Sequence, residues 1–176
     1  TFILLNTFLT LEHAIAGSLM VALMFLIIRT MRGQKISYAF AGLIGVIISL
    51  TFAHVFQDAR SYFLPGILRN LGLSIIFFIS ILIKRPLIAY SSFLARRWTL
   101  EWYFHKKVRP AYMEATLLWS AFFLLKAYVQ YFAVLNTSLG VVGVIAFISG
   151  FPSTVILLVI TYIFGMWRLK KLGGPS

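Results

Sequence analysis

The chain alternates long apolar runs with short basic ones. His13–Ile28 carries no formal charge, taking His as neutral, and stops at Arg29. Ile36–Gln57 stops at Asp58. Asn70–Ile83 closes on Lys84 and Arg85, and gains spanning length once Pro65–Arg69 is added. Ala115–Leu135 is interrupted only by Lys126, and Leu139–Trp167 is uncharged up to Arg168. A helix needs roughly 20 mostly apolar residues to cross a bilayer. These runs therefore predict helices over about 12–29, 36–57, 66–83, 112–135 and 139–167. The last would be roughly 43 Å long if straight, at 1.5 Å per residue. A tilt, or a bend near Gly150 and Pro152, is expected instead. Thr1–Leu9 is apolar but too short to span. Thr1 is not an initiating residue, so this segment is read as the outer end of a first helix whose start is missing. The expected fold is all-α: a polytopic transmembrane bundle of six helices, the first truncated, in one domain over 1–176.

Composition supports a bilayer as the solvent. The chain is 61% hydrophobic with a mean hydropathy of +0.94 and only 11% charged residues. A soluble domain carries about a quarter charged residues. No cysteine is present, so disulfides, thiolate metal sites and cysteine nucleophiles are excluded.

The net charge of +12 changes meaning once it is placed along the chain. Of 16 Lys and Arg, 13 fall in three segments: Arg29–Lys35, Lys84–Arg109 and Arg168–Lys171. Two expected helices separate each segment from the next, so all three share one side. Basic residues collect beside cytoplasmic helix ends. The three segments and both termini are thus expected on the cytoplasmic side. Nucleic acid, the usual partner of so basic a soluble protein, is not expected. Membrane lipids, anionic ones above all, are the expected partner.

The one long connection, Arg85–Pro110, predicts an amphipathic helix over about 86–104 lying on the cytoplasmic leaflet. Leu87, Tyr90, Leu94, Trp98 and Trp102 recur at three- and four-residue steps. Trp and Tyr favour that depth. Arg96, Arg97, Trp98, Trp102, Lys106 and Lys107 form a candidate surface for lipid or for a membrane-protein partner. Anchoring and spacing is the simpler role for the same residues.

Polar groups inside the apolar runs are the functional candidates, because ionisable residues at membrane depth face a bundle interior or a wet cavity. Lys126 lies about mid-run, with Gln130 one turn on. His54 and Asp58 are four apart, and Glu12 and His13 open the second helix on the same side. These six residues form a candidate polar or transport site. A pairing of Lys126 with Asp58 or Glu12 is one arrangement. Snorkelling of Lys126 to the outer interface is another. No HExxH, G-x-S-x-G or compact double-His motif occurs, so no catalytic residue, metal site or cofactor is assigned.

Glycine pairs Gly42/Gly45 and Gly140/Gly143 offer close helix approach, including to a second copy of the chain. Their surroundings, Gly42–Ile47 and Gly140–Ile145, are alike, a weak hint of inverted halves.

Tyr62-Phe63-Leu64-Pro65-Gly66, Asn70 and Lys84-Arg85-Pro86-Leu87-Ile88 resemble the bacterial membrane family called domain of unknown function 3159. Arg109-Pro110-Ala111-Tyr112, Ala115-Thr116-Leu117-Leu118-Trp119 and Phe122-Phe123 resemble it too. The order of turn, basic linker and Trp-rich helix is also similar to the intracellular septation protein A family, although Arg85 intervenes where that family has Lys-Pro-Leu. The resemblance spans about Leu11–Trp167. It implies a multi-helix inner-membrane protein and, through the septation relatives, a role in envelope maintenance or cell division. The expected function is a membrane scaffold or accessory subunit and not an enzyme. The alternative is a small transporter or channel built around Lys126.

Replacing Arg96 and Arg97 with Gln is expected to weaken binding to anionic liposomes, measured by co-flotation. Unchanged flotation would remove lipid attraction from this segment.

Overall fold

A computed structural model describes residues 1–33, 36–96 and 99–171. Among these the chain is helical, in the order α1 (Phe2–Phe8), α2 (Leu11–Met31), α3 (Ile36–Val55), a 3-10 turn (Ala59–Phe63), α4 (Leu64–Leu82), α5 (Leu87–Arg96), α6 (Leu100–Phe104), α7 (Arg109–Asn136), α8 (Leu139–Ile148) and α9 (Phe151–Lys171). Four stretches are long and apolar enough to cross a membrane: Leu11–Met31, Ala59–Leu82, Arg109–Asn136 and Leu139–Arg168. The apolar part of α3, Phe40–Val55, is shorter. Against the expected six helices, length and composition alone thus support four spans. The last of them is interrupted between α8 and α9, as Gly150 and Pro152 predict.

Helix ends follow local chemistry. α4 closes with Lys84 N–H on the Ile81 carbonyl and Arg85 N–H on the Ser80 carbonyl, both at 2.9 Å. This paired closure places Lys84 at φ +57°, and Pro86 then prevents continuation. Pro110 is tolerated in α7 because it occupies the first turn, where N–H groups have no helical partner.

The chain forms two compact units, 1–67 with 130–146, and 68–129 with 147–176. In the first, Phe2, Ala14, Leu50 and Ala53 form a core joined by Leu5 and Tyr62. Phe2 stacks on Tyr62 at 4.7 Å between ring centroids. Close approach depends on missing side chains: a Cβ on Gly17 would meet Leu5, and one on Gly143 would collide with Ile3.

The second unit is organised on α7. Ser74 and Ser120 each donate a hydroxyl hydrogen to the other's carbonyl at 2.9 Å, clasping α4 to α7. Thr116 Oγ1 accepts from the Ile88 N–H at 3.4 Å, tying in α5. Trp119 Nε1–H donates to Thr161 Oγ1 at 2.9 Å, tying in α9. Arg168 forks onto Glu114 at 2.9 and 3.2 Å. Thr116, Trp119 and Ser120 lie on one face of α7, with Ala111, Ala115, Phe123 and Ala127 also buried, while Glu114 is exposed. The opposite face, including Leu117, Leu124, Leu125 and Phe132, is exposed. Small and polar residues inside with large apolar ones outside is the pattern lipid selects. A Leu gains nothing by leaving acyl chains for a protein interior.

The described residues of the expected interfacial helix form α5 and α6, and Tyr103 Oη–H donates to the Ser92 carbonyl at 3.1 Å. Ala89 is fully buried, Leu87, Tyr90 and Trp102 are half-buried, and Leu94 is 77% exposed. The small side chain of Ala89 lets α5 approach Tyr103 and Tyr112.

Ser120→Leu is expected to destabilise the protein by about 1–3 kcal/mol, the usual range for overpacking. Leu124→Ala, at a site 52% exposed, should leave stability unchanged. Denaturation in mixed micelles orders the two variants. The reverse order would mean that α7 packs as a soluble helix does.

Candidate functional site

Among the described residues of the second unit, Lys126 is a buried cation, 7% exposed. It projects from the polar face of α7, and its ammonium lies 5.1 Å from the Phe122 ring centroid and 5.8 Å from that of Phe123. Both rings stand one turn toward the start of α7. The side chain therefore runs toward the middle of the helix, away from its nearer end at Asn136. Snorkelling past that end would require the opposite direction. The ring faces supply cation–π attraction. Thr154 Oγ1 supplies a hydrogen-bond acceptor at 3.5 Å.

Thr154 belongs to the interruption of the last span. Pro152 has no N–H to continue the ladder from α8 into α9. The carbonyls around the break are taken up by side chains. Ser153 Oγ donates to the Ser149 carbonyl at 2.8 Å and to that of Gly150 at 3.2 Å. Thr154 Oγ1 donates to the Gly150 carbonyl at 2.9 Å. One hydroxyl thus closes the break and accepts a hydrogen bond from Lys126. The first turn of α9 carries the partial positive charge of a helix N-terminus. With Lys126 beside it, the site is electropositive, and among the described residues Lys126 makes no ion pair.

The remaining polar candidates belong to the first unit. Glu12, His13, His54 and Asp58 are exposed. His13 Nδ1 shares a hydrogen with Thr10 Oγ1 at 2.6 Å, at the start of α2. Asp58 Oδ1 accepts the Arg60 N–H at 2.9 Å and so caps the 3-10 turn. The His54 carbonyl accepts from Gln57 Nε2 at 2.7 Å, closing α3. These are helix-end roles. Gln130 is buried on the Lys126 face of α7 and falls in the first unit. Among the described residues no three His, Asp or Glu side chains gather where a metal ion would sit.

In the basic–aromatic segment, Trp102 is half-buried, edge-on to Tyr103 at 5.1 Å and to Tyr112 at 6.4 Å. Lys106 and Lys107 are exposed on the turn before α7. Arg97, Trp98 and the Arg96 side chain lie outside the described residues.

Thr154 and Thr161 were not anticipated. The available signal was a hydroxyl two residues beyond a proline in an otherwise unbroken apolar run. Such hydroxyls re-satisfy backbone groups where a membrane helix breaks.

No curated protein and no solved structure matches the chain. The clasped helices, Lys126 and the broken last span all lie within residues 1–170, the stretch that matches the family described as protein of unknown function, DUF3159, and the chain belongs to that family.

Proposed function

We propose that this protein is a small inner-membrane transporter or channel whose conducting site binds an anion at Lys126. The observation that carries this reading is a buried ammonium, without an ion-pair partner among the described residues, beside the N-terminal turn of a broken membrane-length helix. Interrupted helices in transporters aim such N-termini at anionic substrates. Phe122 and Phe123 hold the amine, and Thr154 orients it. The reading takes α3 as a fifth full crossing and α1 as part of a sixth. It places Arg29–Lys35, Lys84–Arg109 and Arg168–Lys171 in the cytoplasm, following the charge asymmetry along the chain.

A second reading is a scaffold or accessory subunit in envelope maintenance or division, in keeping with the likeness to septation proteins. Gly42 and Gly45 favour it: both are exposed, and a Cβ on either would meet nothing within 4 Å. That bare strip of α3 suits a helix of a second copy or of another membrane protein.

Efflux of chloride, nitrate, acetate or inorganic phosphate from proteoliposomes tests the first reading. Lys126→Met is expected to lower flux tenfold or more, in line with the ~1.5–3 kcal/mol of a hydrogen bond to a charged group. Lys126→Arg should retain part of it, and Thr154→Val should lower it less. Equal flux in wild type and Lys126→Met, with both proteins folded by thermal melt, would sink the anion site. Wild-type flux no greater than that of empty vesicles, together with dimers cross-linked through Gly42→Cys, would favour the scaffold.

The absence of cysteine makes orientation directly measurable. Lys107→Cys should react with an impermeant maleimide only after cells are permeabilised, and Ser138→Cys in intact cells. The opposite pattern would invert the proposed topology.

A further inference from the structure

A groove of about 420 Å³ opens in the second unit, within the 300–1,000 Å³ common for ligand sites. Phe77, Ile88, Ala115, Trp119, Leu158 and Gly165 are among its walls, and the lining is overwhelmingly apolar. It owes its space to small residues: a Cβ on Gly165 would still meet nothing within 4 Å. Trp119 is fixed in the wall by its hydrogen bond to Thr161.

The two ends of the groove differ in chemistry. The walls come from α4, α5, α7 and α9, and α7 and α9 each carry an arginine one turn beyond a wall residue. Arg109 stands one turn before the wall residue Tyr112, and its Nε is buried without a hydrogen-bond partner. Arg168 stands one turn past Gly165 and is already held by Glu114, which cancels its charge locally. Lys106 and Lys107 are exposed on the turn leading into α7. Arg109, Lys106 and Lys107 therefore leave this end positive, while the end at Trp119 and Leu158 is apolar.

We propose that the groove holds one acyl chain of an anionic phospholipid, with its headgroup phosphate on Arg109 and flanked by Lys106 and Lys107. Apolar walls select the chain, and the positive end selects the headgroup over a zwitterionic one. The site is separate from Lys126, and the proposal rests on the membrane reading only in taking the bilayer as the source of lipid.

The test uses full-length protein carrying Trp98→Phe, Trp102→Phe and Trp167→Phe, so that Trp119 is the sole tryptophan. It is reconstituted into phosphatidylcholine vesicles containing rising fractions of phosphatidylglycerol with brominated chains. The comparison series contains brominated phosphatidylcholine. Bromine quenches Trp119 on contact. Half-maximal quenching is expected at a lower fraction of the anionic lipid. Arg109→Gln should erase about fivefold of that preference, the equivalent of about 1 kcal/mol per basic residue near a surface. Gly165→Leu, which fills the groove, should abolish the saturable quenching. Equal quenching by the two lipids would overturn the headgroup assignment. Quenching that survives Gly165→Leu would show that bromines reach Trp119 from the general bilayer, and would overturn the groove site. Should the tryptophan-depleted protein misfold, native mass spectrometry of the wild type decides. At least one phosphatidylglycerol should be retained at activation energies that strip phosphatidylcholine, and Gly165→Leu should lose it. Loss of both lipids together from the wild type would count against the proposal. Lipid binding in symmetric vesicles is indifferent to orientation, so an inverted topology would leave these outcomes unchanged.

Discussion

An apolar side chain gains little by exchanging lipid tails for another apolar side chain, and that constraint decides which residues hold this protein together. Hydrophobic length brings helices into the membrane but does not bind them to each other. On α7 the joining work falls to Ser120, Thr116, Trp119 and Glu114, each reaching a different partner on α4, α5 or α9. Interhelical hydrogen bonds of this kind contribute about 0.6 kcal/mol each. Small side chains must therefore add close packing, and Ala111, Ala115 and Ala127 are buried on the face of Thr116, Trp119 and Ser120. Of the stretch of α7 able to span, 39% is buried, against 22% or less for the other three spans. It is the helix on which the packing is concentrated.

The same solvent makes the break between α8 and α9 costly, because no water is present to bond the freed carbonyls. Ser153 and Thr154 fill that role from within the helix. Thr154 can then also accept a hydrogen bond from Lys126, since a hydroxyl both donates and accepts. The interruption thus couples two features that would each be unfavourable alone: a helix end inside an apolar stretch, and a buried ammonium.

Much of this was legible in the sequence, for identifiable reasons. Apolar length located the spans, and Gly150 with Pro152 located the break, because both signals are local. Lys126 stood out because charge is rare at such depth. The Ser74–Ser120 clasp and the Trp119–Thr161 bond were not legible. Their partners are 46 and 42 residues apart, and serine and threonine are common in membrane helices. The contact of α5 with Tyr103 and Tyr112 was not legible, because apolar periodicity finds the largest side chains and this contact forms at Ala89. Glu12, His13, His54 and Asp58 were grouped with Lys126 because spacing and the expected topology put them on one side. All four are exposed, and His13 and Asp58 bond at the starts of α2 and the 3-10 turn.

The sparse acids sharpen the case at Lys126. The chain has only four Asp and Glu. Glu12 and Glu101 each sit in a helix's first turn, where negative charge is favoured by the helix dipole. Asp58 caps the 3-10 turn, and Glu114 is committed to Arg168. Each acid thus has a local role. Lys126, held by two aromatic rings and a hydroxyl, has cation–π and dipolar stabilisation but no negative charge from these groups. A buried cation is strongly favoured by a nearby anion. On the proposed function that anion is the substrate. The site then gains most when it is occupied, and an aromatic cradle that gives up the ammonium readily is better suited to passing an anion on than a fixed carboxylate would be.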